Sequence, residues 1–374
     1  MPAGDGFTDH SKKFLLDPYL DWTAGEGLPV YEDFGIDMLA VETGRWDRME
    51  AKGAFIHVKG RGDFVSTFAL DIPPGRTTAP QKHMFENVVY VLEGHGSTTV
   101  ELADDRKHTF EWGPKSMFAV PLNVRYRHYN GSGRERALLA CTHDLPLVMN
   151  LFHNHDFVFD NPFDFADRAG AAKHFEGEGD FIGVAPGRDM WETNYVPDLT
   201  NFQLKAWEAR GSGSSTLSFI LAEGTMHAHT SEIPAAKYKK AHRHGDGIHI
   251  YAVTGTGYSL FWYEGEQEFV NIPWRHGVMY APPDWMFHQH FNTAPAPARY
   301  LAIGIGSRRY PFLGTRRKGI EGGMDTSVKE GGRQIEFADQ DPRVHAMWLQ
   351  EIKATGVASA MGKDIDETIF VKQV

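Results

Sequence analysis

Residues 243–261, RHGDGIHIYAVTGTGYSLF, repeat an earlier stretch, residues 82–100, KHMFENVVYVLEGHGSTTV. His83, Tyr90, Gly94 and Gly96 recur at His244, Tyr251, Gly255 and Gly257, each 161 positions later. Further on, Trp112, Pro121, His128 and Asn130 recur at Trp274, Pro283, His290 and Asn292, at an offset of 162. A nearly constant offset over landmarks spanning about 50 residues means two copies of one domain, with one residue inserted between the two sets. Around these landmarks the chain reads as short runs rich in Val, Ile, Tyr, Phe and Thr, broken by Gly, Pro or Asp: 64–70, 88–92, 97–102, 116–120, 215–221, 248–253, 259–263 and 299–303. That spacing predicts an all-β chain of antiparallel strands in sandwiches or barrels. Helical patterning is clear near the end. Asp339-Gln-Asp-Pro342 opens a helix running to about Gly356, with Val344, Met347, Trp348 and Ile352 as its apolar stripe.

Composition narrows the function classes. The chain has 374 residues, 41% hydrophobic and 23% charged, which suits a globular protein with room for two cores. Its 38 basic and 49 acidic residues give a net charge of −11 without a Lys/Arg-rich run, so neither nucleic acid nor an anionic membrane is an expected partner. The segment MPAGDGFTDHSKK lacks an apolar signal core, and Cys141 is the sole cysteine, so a cytoplasmic location is expected. The 19 histidines justify a search for a metal site.

The chemistry concentrates in the second copy. His242 and His244 are two apart, so on a strand both imidazoles project from one face. Pro283-Asp-Trp-Met-Phe-His288-Gln-His290-Phe-Asn292 supplies further imidazoles from a later strand. Three neutral nitrogens would suit Fe, Zn, Cu or Ni and leave coordination positions open. Gly94-x-Gly96 and Gly255-x-Gly257 end strands without opening a helix, so they are turn glycines, not phosphate cradles. No Ser-His-Asp arrangement, P-loop or dinucleotide fingerprint is visible.

These blocks resemble the two motifs of the cupin superfamily, G-x5-H-x-H-x3,4-E-x6-G and P-x-G-x2-H-x3-N. The second copy reads His242-x-His244, then Gly255, then Pro283 and His288-x3-Asn292, with Trp285 where the motif has Gly and Ile248 where it has Glu. The resemblance covers residues 60–140 and 215–305. It implies a bicupin, a double jelly-roll with peripheral helices. The implied units are 1–145 (an N-terminal segment plus the first cupin), 146–210 (an aromatic connector), 211–315 (the metal-binding second cupin) and 316–374 (a tail with a helix). The five Phe in NLFHNHDFVFDNPFDF predict that the connector packs across both copies.

The resemblance also implies metal ligands His242, His244 and His288. A missing Glu with His-Arg-His retained is similar to the gentisate 1,2-dioxygenase group, which implies Fe(II), with Mn, Zn or Ni as alternatives. The implied activity is an oxidative cleavage of a small aromatic or phenolic acid with O2. The alternatives are a decarboxylase, lyase or hydrolase, or a non-catalytic binding bicupin, and a homo-oligomer is implied throughout. His290, on the face of His288, is the candidate catalytic residue, as a proton carrier or hydrogen-bond donor, with plain packing as the bland reading. His249 would join the site only if a bulge turned it inward.

Other positions carry weaker expectations. The first copy has Gln81, His83, Asn87 and Tyr126 at the ligand positions and reads as a structural barrel; Glu86 with His83 and His128 could rescue a site after a register change. His227 and His229 read as edge or interface residues. Arg243 and Gln289 should face away from the ligands, bracing the barrel. Trp285, Phe287, Trp262 and Tyr251 are candidates to wall a flat pocket. Among Lys237, Tyr238, Lys239 and Lys240, a lysine could hold a substrate carboxylate, and a solvated turn is the competing reading.

Overall fold

A computed structural model describes residues 16–102, 105–183, 189–245, 247–307, 309–310, 323 and 325–367. The MPAGDGFTDHSKK segment and the expected boundary at 315/316 lie outside the described residues. The chain forms two β-barrels of two sheets each, the expected double jelly-roll.

In barrel one, a sheet containing Ala51–Ile56, Ser66–Ile72, Ala137–His143, Asn87–Glu93 and Met117–Val120 faces a three-stranded sheet of Arg125–Asn130, Gly96–Glu101 and Lys107–Trp112. In barrel two, a sheet containing Ser215–Leu221, Met226–Ile233, Ala298–Ile305, His249–Thr254 and Val278–Tyr280 faces one of Val270–Arg275, Thr256–Trp262, Phe287–Asn292, Ala241–His242 and Gln334–Ile335.

The two large sheets pack against each other, and this contact explains the sequence pattern. Asn87–Glu93 and Ala137–His143 are buried on nearly every residue because each has one face in barrel one and the other against barrel two. Leu139 and Cys141 point into the first core, whereas Leu138 and Ala140 join Phe219, Met226, Tyr251 and Leu301 between the barrels. The outer strands Lys107–Trp112 and Val270–Arg275 alternate buried with exposed, having one wet face.

Chain segments cross the expected unit boundaries. Gly35–Asp37 pairs with Val278–Tyr280 of barrel two, and Gln334–Ile335, from the tail, pairs with Ala241–His242. The connector lends a strand to each barrel: Tyr195–Val196 pairs with Met117–Phe118, and Met190–Thr193 runs parallel to Ser218–Leu221. Of its Phe-rich part, Phe157 and Phe159 pack on the first core, while Phe152 and Phe163 are exposed.

The expected terminal helix spans Pro342–Ala354. The Asp341 side chain accepts from the Arg343 amide, satisfying an N-terminal donor. Val344, Trp348 and Ile352 are buried, and so is His345, which the apolar stripe did not include. They cover Tyr258, Phe287 and Phe291 on the outer face of the strands that carry His288. The helix thus backs the sheet whose inner face forms the site. No helix among the described residues is long and apolar enough to cross a membrane.

Candidate metal centre in barrel two

His242 lies directly opposite His288 in the pairing of two antiparallel strands, and His244 follows two residues later at the barrel mouth. Strand alternation sends all three imidazoles to the interior. One ring nitrogen from each lies within 4.8 Å of the other two, and Nε2 of His242 is 3.1 Å from Nε2 of His288. Nitrogens bound at ~2.1 Å to one ion sit about 3.0–3.4 Å apart, between octahedral and tetrahedral angles. The spacing therefore fits a shared cation.

The outer nitrogens support that fit. His288 Nδ1 lies 3.2 Å from the Met286 carbonyl and His244 Nδ1 lies 2.8 Å from that of Gly245. A carbonyl only accepts, so those Nδ1 atoms carry the proton and both Nε2 lone pairs turn to the centre. Burial pushes the His244 imidazole down to about 4, and holds His242 and His288 well below the usual range, with Arg210 adding to the effect on His242. All three are neutral near pH 7, the form a metal requires. Ile248 lies buried at the motif's Glu position, so the set has no carboxylate.

His290 is buried on the same face, but its Nδ1 is taken by Ser259 Oγ at 2.8 Å. The Trp274 indole donates to that same oxygen at 3.1 Å. Barrel one repeats the arrangement with His128, Thr98 and Trp112, at 2.7 and 2.9 Å. Asn292 and Asn130 also match, each with its amide nitrogen donating to three backbone carbonyls. These parts belong to the barrel scaffold, since both copies hold them. Trp285 has φ 64° and Asn123, its counterpart, φ 57°. The turn thus keeps the left-handed backbone for which the motif uses Gly, and tolerates a Trp there at ~1–2 kcal/mol.

His249 stays out of the site, with Tyr251 and Val253 on the inter-barrel face, because the bulge falls between Ala252 and Thr254, too late to turn it inward. Several other expectations are corrected. His227 and His229 are on a central strand, on the face opposite Met226 and Ala228, and so face the interior of barrel two. Tyr251 lies between the barrels, Trp262 and Phe287 pack under the terminal helix, and Trp285 is 49% exposed at the mouth. The rings that line the site are Phe261, 6.3 Å from the ligand His288, and Tyr280 and Tyr300, 5.8 and 5.1 Å from the neighbouring His290. Glu86 leaves barrel one altogether and accepts from the Thr225 and Met226 amides, so the rescued first site does not form. Arg243 does face outward, over Phe287 and paired with Glu264, and Gln289 bonds the Lys239 carbonyl on that side.

Two cations near the site were not distinguished by sequence. Arg210 is buried, donates to Gln334 beside His242, and pairs with Asp325. Lys239 is also fully buried, whereas its neighbours Lys237 and Lys240 pair with Asp364 and Glu336. A lysine inside a β core is rare enough to be a signal, but four polar residues in a row conceal which one points in.

No protein-family model matches the chain, and no curated protein sequence matches it. Among solved structures, it is similar to the oxalate decarboxylase of Bacillus subtilis, at 11% identity and a TM-score of 0.47 over 74% of this chain and 78% of that one. It is also similar to the Lactobacillus farciminis oxalate decarboxylase in a formate complex, at 10% identity and a TM-score of 0.47 over 73% and 86%. The likeness is one of shape.

Proposed function

We propose that this chain is a mononuclear, non-haem metalloenzyme acting on a small organic acid, with a divalent cation held by His242, His244 and His288. The observation that carries this reading is the convergence of three buried, neutral imidazoles on one point in barrel two. When bound, the cation supplies Lewis acidity and, if it is Fe(II), redox chemistry with O2. Uncharged ligands leave its positive charge uncompensated, and the buried Arg210 guanidinium adds to the field, so the centre favours an anionic substrate.

The rest of the site positions and protects. Phe261 and Tyr280 keep water from the ligand side. His290 is assigned a supporting role. The Trp274 indole donates to Ser259 Oγ, and we assign the Ser259 hydrogen to His290 Nδ1, the tautomer that keeps Nε2 as a donor. That tautomer leaves an N–H on Nε2, making His290 a donor to bound substrate and not a fourth ligand.

The resemblance to the gentisate group supports Fe(II) and oxidative ring cleavage. The polar wall beyond the ligands, His290, Tyr300 and Lys239, supports the second reading: a decarboxylase, lyase or hydrolase of a small carboxylate using Mn, Zn or Ni. Metal analysis followed by anaerobic reconstitution separates the two. O2 uptake by the Fe(II) protein with a hydroxybenzoate establishes the first; turnover of small acids by the Mn(II) protein without O2 uptake establishes the second. Protein that retains no metal refutes both.

A further inference from the structure

We propose that Lys239 Nζ and Tyr300 Oη form a carboxylate seat beside the ligand histidines, so that the substrate bears a carboxylate in addition to the oxygens that would chelate a cation. This deepens the metalloenzyme reading and rests on it for the chelating end alone.

Lys237, Lys239 and Lys240 stand within four residues, yet only Lys239 is fully buried, at 1% exposure. Lys237 has Asp364 and Lys240 has Glu336, but Lys239 has no carboxylate partner among the described residues. Its amine donates to the Tyr300 hydroxyl at 3.2 Å and lies 4.8 Å from the Tyr300 ring and 5.8 Å from that of Trp207. Glu232 is engaged by Arg299 at 2.7 Å. A buried amine with one neutral partner is costly to keep charged, and burial holds it well below the usual lysine range. An arriving carboxylate supplies the missing counter-charge, and the Tyr300 hydroxyl offers it a second donor.

Position makes the seat part of the site. Tyr300 belongs to the interior cluster of barrel two. Its ring is 5.1 Å from that of His290, which is 5.6 Å from His288 and 6.4 Å from His242.

The test uses the full-length protein loaded with Zn(II), which does not turn over by redox chemistry, and calorimetric binding of two probe pairs. The pairs are 2,3-dihydroxybenzoate against catechol and malate against lactate; within each, only the first member carries a carboxylate beyond the chelating oxygens. The expected result is a preference of about tenfold or more for the acid in at least one pair. Lys239→Met should abolish that preference, and Tyr300→Phe should reduce it, with zinc content unchanged. Absence of a preference in the wild type, or its survival in Lys239→Met, overturns the proposal. Should Lys239→Met fail to fold, Lys239→Gln and Tyr300→Phe decide the same question. Zinc stoichiometry is read separately, so loss of the metal site and loss of the carboxylate seat remain distinguishable.

Discussion

At the place where barrel two gathers three imidazoles, barrel one closes on itself. His83, the counterpart of His244, has Nε2 2.8 Å from the Tyr126 hydroxyl and Nδ1 2.8 Å from the Phe85 carbonyl. Phe85 stacks on its ring at a centroid distance of 3.6 Å. Gln81, the counterpart of His242, faces Tyr126 across the same bridge that joins His242 to His288, but its amide turns to the Arg48 and Ala79 carbonyls. Aromatic and aliphatic side chains fill the remaining interior of barrel one. The backbone is the same, and two side-chain identities, Gln81 for His242 and Tyr126 for His288, convert a cation site into a hydrogen-bonded plug. The comparison separates motif residues that build a barrel from those that give it chemistry.

The contrast breaks most sharply at the ligands. His242→Ala and His288→Ala should each lower metal affinity by about 100-fold or more while leaving the circular dichroism unchanged. His83→Ala should leave metal stoichiometry as it is, and one lost equivalent in that variant would show that barrel one binds metal after all.

Acid provides the next largest effect. Burial pushes His83 and His128 down to about 4 and about 3, and His244 to about 4. The unfolded chain takes up these protons near pH 6.5, whereas the folded chain does not. Stability is therefore fully present above pH 6.5 and is lost as pH falls toward 4, by several kcal/mol across the set. Thermal melts from pH 7.5 to 4.5 should show that loss, and Zn(II) should delay it. A melting temperature flat across that range would contradict the buried, neutral assignment in both barrels.

Smaller changes test the shared scaffold. Asn130→Ala and Asn292→Ala each strip a buried amide from three carbonyls, and both should cost about 1–3 kcal/mol in chemical denaturation. Equal losses would establish the two as equivalent corner pins; a loss confined to Asn292→Ala would tie that residue to the metal centre. Tyr126→Phe should cost ~1 kcal/mol by leaving His83 Nε2 without a partner, with no change in metal content.

Much of this was legible in the sequence. The repeat fixed two barrels, because turn glycines and corner asparagines must recur wherever the same backbone recurs. Gly94 and Gly255 take φ of 86° and 80°, and a Cβ at either would strike the facing alanine. Alternation correctly put His242, His244 and His288 on one face and Arg243 and Gln289 on the other. It also held for His249, whereas the candidate pocket walls Tyr251, Trp262 and Phe287 face away from the site, Phe287 on the same side as Gln289. Sheets buried on both sides leave no polar face to reveal which side of a strand looks into which barrel.

The order of residues along the chain determined the duplication, the strand positions and the ligand set implied by the motif. Only the tertiary structure decided that the large sheets share a core, that strands from both ends of the chain complete barrel two, and that Lys239 alone of its run turns inward. Local pattern reports the period of a strand. Which face meets water, a cation or another sheet depends on partners more than a hundred residues away, and packing against them sets the cost of burying each charge.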